Sequence, residues 1–239
     1  MDNEMLCLPQ NFMYREFRIP SSTKKSLFNF VEANNSNGFR NVIRVPKKIT
    51  PGLIPIGAGQ QGTVLLGCLD DKCKTKVSIK VSKPGESEPA IREYKINKQV
   101  YERCINETPH ILRPIMQMKC RGDKIVTYYE FFNGGSLDKW WRRHAKKLKT
   151  DDIKVAMFQI LYTMGIIYKN LPSFRHHDLH TGNVFIKTGD GVPKSGYTKY
   201  GKYEIKNNGM FTAVADFGFA HSPPHAHKNL LNGEYKKCS

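Results

Sequence analysis

No Cys-x-x-Cys pair occurs among the six cysteines, Cys7, Cys68, Cys73, Cys104, Cys120 and Cys238, which argues against a zinc ribbon or a disulfide framework. Scattered single thiols of this kind fit a reducing compartment. No apolar run approaches the length of a membrane span, and Met1 to Pro20 lacks the continuous apolar segment of an export signal. Internal repeats and low-complexity tracts are missing as well. These absences lead us to expect a cytoplasmic protein. Acidic residues are scarce: 21 Asp and Glu face 38 Lys and Arg, giving a formal net charge of +17. Such a field attracts nucleic acid, anionic lipid headgroups, acidic proteins or a nucleotide's phosphates. No RNA-binding, zinc-finger or helix-turn-helix signature accompanies the charge, so an acidic-protein or nucleic-acid contact stands beside a merely solvated basic surface.

What is present suffices for a core. The 239 residues are 39% hydrophobic and 11% aromatic, enough for one domain of two lobes or two small domains. Residues 1–50 mix short apolar patches with Ser-Ser-Thr-Lys-Lys, Asn-Asn-Ser-Asn-Gly and Pro-Lys-Lys, and read as an N-terminal extension. Residues 51–132 then carry strand signals at Leu53–Ile56, Thr63–Leu66, Lys76–Val81, Ile111–Met118 and Lys124–Phe132. A helix is expected over Pro89–Cys104, with Ser87 as its N-cap and Glu88 in its first turn. Asn133-Gly134-Gly135-Ser136 is a flexible break. Beyond it, Ile153, Ala156, Met157, Ile160, Leu161, Met164, Ile167 and Tyr168 form a helical stripe, read as core and entered through Thr150-Asp151-Asp152. Val184–Ile186 and Thr212–Ala215 are short strands, separated by a long hairpin loop from Gly189 to Gly209.

Three motifs carry chemistry. Gly57-Ala58-Gly59-Gln60-Gln61-Gly62-Thr63-Val64 fits G-x-G-x-x-G-x-V, whose glycines let backbone N–H groups approach phosphate oxygens. A dinucleotide fingerprint would need a helix directly after it, and a P-loop would need Lys where Thr63 stands. An ordinary Gly-rich hairpin is the plainer alternative. Lys80 ends Val77-Ser78-Ile79-Lys80, and Glu93 is the carboxylate expected to fix its ammonium, in preference to Glu88 at the helix entrance. Asp178 is followed five positions later by Asn183, and Asp216 precedes Phe217-Gly218. This is the acid-and-amide set that orients a hydroxyl and holds Mg²⁺ on a nucleotide.

In this order, over Ile54 to Gly218, the motifs resemble the protein-kinase superfamily. The resemblance implies an α+β, bilobal protein-kinase-like fold, with a five-stranded antiparallel N-lobe sheet plus one helix and a truncated, mainly helical C-lobe. It implies the following division: extension 1–50, N-lobe 51–132, hinge and partial C-lobe 133–218, tail 219–239. ATP and Mg²⁺ are the implied cofactors. Gly57, Ala58, Gly59, Gln60, Gln61, Gly62 and Val64 would cover the nucleotide, Lys80 would hold its phosphates, and Glu130 and Phe132 would meet the adenine edge beside Tyr129. Asp178 would be the catalytic base, with Lys80, Glu93 and His180 in support, and Asn183 and Asp216 would bind metal. The implied partner is a protein with a Ser or Thr acceptor.

Departures from the family pattern bear on activity. His177 stands where the family carries the Arg that clamps a phosphorylated loop, and His180 where serine/threonine kinases carry Lys. Asp-Leu-His-x-Gly-Asn is also similar to small-molecule kinases and to divergent kinases of large DNA viruses, which would place the protein in host cytoplasm or virion. No Ala-Pro-Glu follows Gly218, so the C-lobe is expected to be short. The segment with His221, Pro223, Pro224, His225 and His227 reads as a solvated, partly disordered tail. A catalytically weak binding module and a small-molecule kinase are therefore the alternatives to a protein kinase.

Overall fold

A computed structural model of the chain describes residues 55–58, 62–68, 76–120, 123–189 and 191–225. The expected N-terminal extension, Gly59, Gln60, Gln61, His227 and the end of the sequence lie outside the described residues. The chain divides into two units: one reaches Tyr94 and takes in Pro114–Phe131, and the other takes Lys95–Arg113 and everything from Phe132 on.

The first unit is a five-stranded antiparallel sheet in the order β1-β2-β3-β5-β4, with β1 Pro55–Ala58, β2 Gly62–Cys68, β3 Lys76–Ser82, β4 Pro114–Cys120 and β5 Lys124–Glu130. Alternation drives it: along β3, Val77 and Ile79 are buried while Ser78 and Lys80 are only partly covered. Helix α1, Ser87–Cys104, begins in this unit. Ser87 is its first residue rather than its cap; the hydroxyl instead donates to Asp123 Oδ2 at 2.6 Å. That bond, with Lys119 second, holds the Asp123 carboxyl below the usual range. Gln117 on β4 donates from Nε2 to Ala90 O at 3.0 Å and so ties sheet to helix. Strand β4 starts at Pro114, three residues later than expected, because Ile111 forms a parallel bridge with Val214 in the second unit.

The second unit centres on a three-stranded sheet, β10-β7-β6, where β6 is Gly135–Ser136, β7 Val184–Thr188 and β10 Met210–Val214. Two helices flank it: α2, Leu137–His144, and α3, Thr150–Asn170. Leu137, Ile186, Phe217 and Ile167 are fully buried in a core that the second half of α1 joins through Ile96, Val100 and Cys104. The expected flexible break is thus partly ordered as β6. Helix α2 was missed in the sequence, although Leu137, Trp140, Trp141 and His144 stand at i, i+3, i+4, i+7. The expected loop 189–209 holds a hairpin of its own, β8 Tyr197–Tyr200 and β9 Tyr203–Lys206, pinned by buried Tyr200 against Phe158 and Tyr162.

Helix α3 corrects the expectation that its whole apolar stripe is core. Ala156, Ile160 and Ile167 are buried, but Ile153, Met157, Leu161 and Tyr168 are exposed. Polar residues take the inward positions because β10 is an edge strand whose outward N–H and C=O groups need partners. Gln159 supplies them: Oε1 accepts from Thr212 N at 2.9 Å and from its hydroxyl at 3.0 Å, and Nε2 donates to Met210 O at 3.2 Å. The rest of the edge is closed by backbone bonds from Leu112 and to His110. The first residues of the expected solvated tail are instead held in the fold. Ala220 and Ser222 are buried, His221 exchanges two backbone bonds with Arg175, and the Ser222 hydroxyl donates to Gln99 at 2.9 Å.

His110, fully buried, donates from Nδ1 to Thr212 O at 2.7 Å and accepts at Nε2 from the Tyr200 hydroxyl at 2.9 Å. Burial pushes its pKa down to about 4. The folded pKa lies below the unfolded value near 6.5, so the neutral ring stabilises the fold fully above pH 6.5, and this contribution disappears as pH falls towards 4. Urea unfolding is expected to show an acid loss of about 3 kcal/mol from this group between those limits, to which buried His176 adds in the same direction. His110→Gln should lower stability at neutral pH and flatten the acid loss.

Candidate active site

In the first unit, antiparallel register brings distant residues together. Val64 on β2 lies opposite Lys80 on β3, and Gly57 on β1 lies opposite Val64. Gly62 must lack a side chain, since a Cβ there would come within 2.3 Å of the Val81 carbonyl oxygen. Lys80 Nζ meets Glu93 Oε2 at 2.6 Å, and the Tyr129 hydroxyl lies 3.4 Å from Glu93 Oε1. Strand β3 and helix α1 thereby join the lysine and the carboxylate chosen from the sequence. Glu88, the alternative, stays in the first turn of α1. Glu130 ends β5, opposite Val77. Phe132 belongs to the second unit; it is buried, with its ring 6.1 Å from that of Phe211 and its carbonyl accepting from Gly135 N.

In the second unit, β7 and β10 pair antiparallel so that Val184 faces Val214. The residues just beyond that pair are Asn183 on one side and Ala215 and Asp216 on the other. The Ala215 N–H donates to the Asn183 carbonyl at 2.9 Å, and the His176 ring donates from Nε2 to the Ala215 carbonyl at 3.0 Å. Phe217, fully buried, packs against the rings of Phe174 and His176. His176 is therefore the joint between the two motifs, a role not read from the sequence; burial holds its pKa below the usual imidazole value.

The Asn183 amide nitrogen donates to the Asp178 backbone carbonyl at 2.9 Å and to its Oδ2 at 3.0 Å. With the amide held this way, Asn183 Oδ1 and Asp178 Oδ1 are left for other partners. His180 caps the short turn Thr181–Asn183: its Nδ1 accepts from Gly182 N at 3.0 Å, which puts the neutral ring's proton on Nε2, 3.9 Å from Asp178 Oδ1. His177 and Asp216 have left-handed backbones, at φ 61° and 59°. A β-carbon residue adopts such values at a cost that neighbours must hold in place; His177 directly precedes Asp178, and Asp216 is itself a motif acid. Partial desolvation, then the charges of His221 and Arg175, keep the His177 imidazole below its usual pKa, so it is uncharged at neutral pH and cannot replace an Arg as a phosphate clamp.

The donor set suits a hard cation. Asn183 offers an amide oxygen and Asp216 a carboxylate, and Mg²⁺ takes one or two such protein ligands, with phosphate and water completing its shell. Among the described residues no three His, Cys, Asp or Glu side chains converge.

The family model for protein tyrosine and serine/threonine kinases matches residues 53–237. Two proteins of Acanthamoeba polyphaga mimivirus are similar. "Putative serine/threonine-protein kinase R400" is 25% identical over 119 residues, 47% of this chain and 25% of that protein. "Putative serine/threonine-protein kinase R301" is 32% identical over 66 residues, 26% of this chain and 17% of that protein. The chain belongs to the protein kinase family, as a divergent member related to these viral kinase-like proteins. The matched segments span a quarter or less of those relatives. No described helix is long and apolar enough to cross a membrane.

The Lys80–Glu93 contact is nearly buried on the acid's side, with Glu93 at 5% side-chain exposure and Lys80 at 19%. Lys80→Met strands a carboxylate and is expected to cost about 3 kcal/mol in urea unfolding, whereas Lys80→Met with Glu93→Leu should recover at least half of that loss.

Proposed function

We propose that the chain is an ATP- and Mg²⁺-dependent phosphotransferase acting on serine or threonine hydroxyls of proteins. The observation that carries this reading is the hydrogen-bonded set of Asp178, Asn183, Ala215 and His176, which supports one cluster built from two motifs far apart in sequence. Asp178 orients the acceptor hydroxyl and takes its proton on Oδ1, the oxygen that Asn183 leaves open. The hydroxyl oxygen bonds to the γ-phosphorus as the bond from that phosphorus to ADP breaks. Asn183 Oδ1 and the Asp216 carboxylate would hold Mg²⁺, which when bound would supply positive charge to the phosphates. Lys80, oriented by Glu93, binds the phosphates, and Gly57 to Val64 cover them. His180 Nε2–H faces the acceptor side of Asp178 and orients it. Glu130 and Phe132 take the adenine edge.

The test is transfer of labelled phosphate from ATP to a generic protein substrate. Asp178→Asn is expected to lower the rate by about a hundred- to ten-thousandfold while nucleotide affinity holds. Asp216→Asn should weaken nucleotide binding only when Mg²⁺ is present. Nucleotide binding without transfer to any acceptor would favour a binding module, and transfer only to metabolites would favour a small-molecule kinase.

A further inference from the structure

Residues 139–149 read Lys-Trp-Trp-Arg-Arg-His-Ala-Lys-Lys-Leu-Lys, six cationic side chains without an acid. They form most of α2 and the turn that leads into α3. Asp138 is the only carboxylate on α2, and it is already engaged by the Ser136 hydroxyl and by Arg142. Arg143 donates to the carbonyls of Gly134 and Lys139, contacts that order the guanidinium without cancelling its charge. Lys139, Lys146 and Lys147 are exposed and have no carboxylate partner among the described residues. The net positive charge of this segment is therefore directed at solvent.

Its location gives the charge a use. Helix α2 packs against the turn Thr181–Asn183 and against β7, within the unit that holds Asp178 and Asn183. A chain that brings a hydroxyl to Asp178 has this cationic surface beside it. The chemistry of the segment also selects among polyanions. Stacking of nucleic-acid bases needs open aromatic faces. Here Trp140 and Trp141 pack against the core, and Trp140 stacks on His144 with centroids 4.4 Å apart. A membrane surface would call for exposed apolar side chains interleaved with the charges, yet on α2 Leu137 is fully buried and Trp140 and Trp141 pack against the core. Flanking carboxylates on a peptide need only exposed cations.

We infer that the surface formed by Lys139, Arg143, Lys146 and Lys147 recognises acidic residues flanking the acceptor, so that the substrate class is a serine or threonine in an acidic peptide. This rests on the phosphotransferase reading for its catalytic half, but the docking half can be measured by itself. The probes are fluorescein-labelled peptides with one serine set in runs of Glu, Gln or Lys, followed both by anisotropy and by phosphate transfer, using the full chain. The Glu peptide is expected to bind and to react about tenfold better than the Gln peptide at low salt, with the advantage shrinking as salt rises. In K139E/K146E/K147E the ratio should fall to near one. The Ala triple variant should give an intermediate ratio, and thermal melts verify that both are folded.

An unchanged ratio in folded variants, or a preference for the Gln or Lys peptide, overturns the inference. So does single-stranded DNA that outcompetes the Glu peptide and loses binding in the same variants, an outcome assigning the surface to nucleic acid. Charge-dependent binding of the Glu peptide with no transfer supports the docking surface while overturning the transferase reading. Equal binding and transfer for all three peptides does the reverse.

Discussion

The backbone hydrogen bond from Ala215 to Asn183 holds together the part of the molecule on which the proposed chemistry depends. It continues the β7–β10 ladder one step past Val184 and Val214, so a sheet register sets where Asn183 and Asp216 stand relative to each other. Such a register is rigid because a one-residue slip would turn the buried faces of Val184, Ile186, Thr212 and Val214 outward. The ladder therefore acts as a ruler. His176 adds a second tie through the Ala215 carbonyl, and Phe217 fills the space beneath. Two left-handed residues, His177 and Asp216, are tolerated at the end of this frame.

The same logic of satisfied edges explains the scaffold around it. Strand β10 lies at the sheet's border, and Gln159, His110 and Leu112 complete its hydrogen bonding from two directions. That requirement brings polar side chains onto the inner face of α3 and leaves Met157 and Leu161 facing out. In the first unit the equivalent constraint is the close approach of β2 and β3 at Gly62, which sets Val64 against Lys80.

Much of this was legible in the sequence. Alternation and β-branching marked β2, β3 and β5, and the fold class was legible through the resemblance of the ordered motifs to protein kinases. Lys80 and Glu93, expected as partners from the order of the motifs, stand 2.6 Å apart in the fold. What escaped detection has physical reasons. Helix α2 is short and carries only four inward residues beside three Lys and Arg, so composition hid its period. The inward turn of Gln159 and Thr163 answers a demand from a strand fifty residues away, which no local window contains. The role of His176 likewise depends on the Ala215 carbonyl, and the anchoring of residues 220–225 on pairing with Arg175 and Gln99.

In the proposed function, Asn183 and Asp216 present oxygens to a divalent ion that carries a nucleotide. Crystals grown with Mn²⁺ and a non-hydrolysable ATP analogue test it directly through the metal's anomalous signal. A Mn²⁺ peak bonded to Asn183 Oδ1 and to the Asp216 carboxylate, with phosphate oxygens completing its shell, is the expected result. A nucleotide-bound metal that touches neither residue would contradict it.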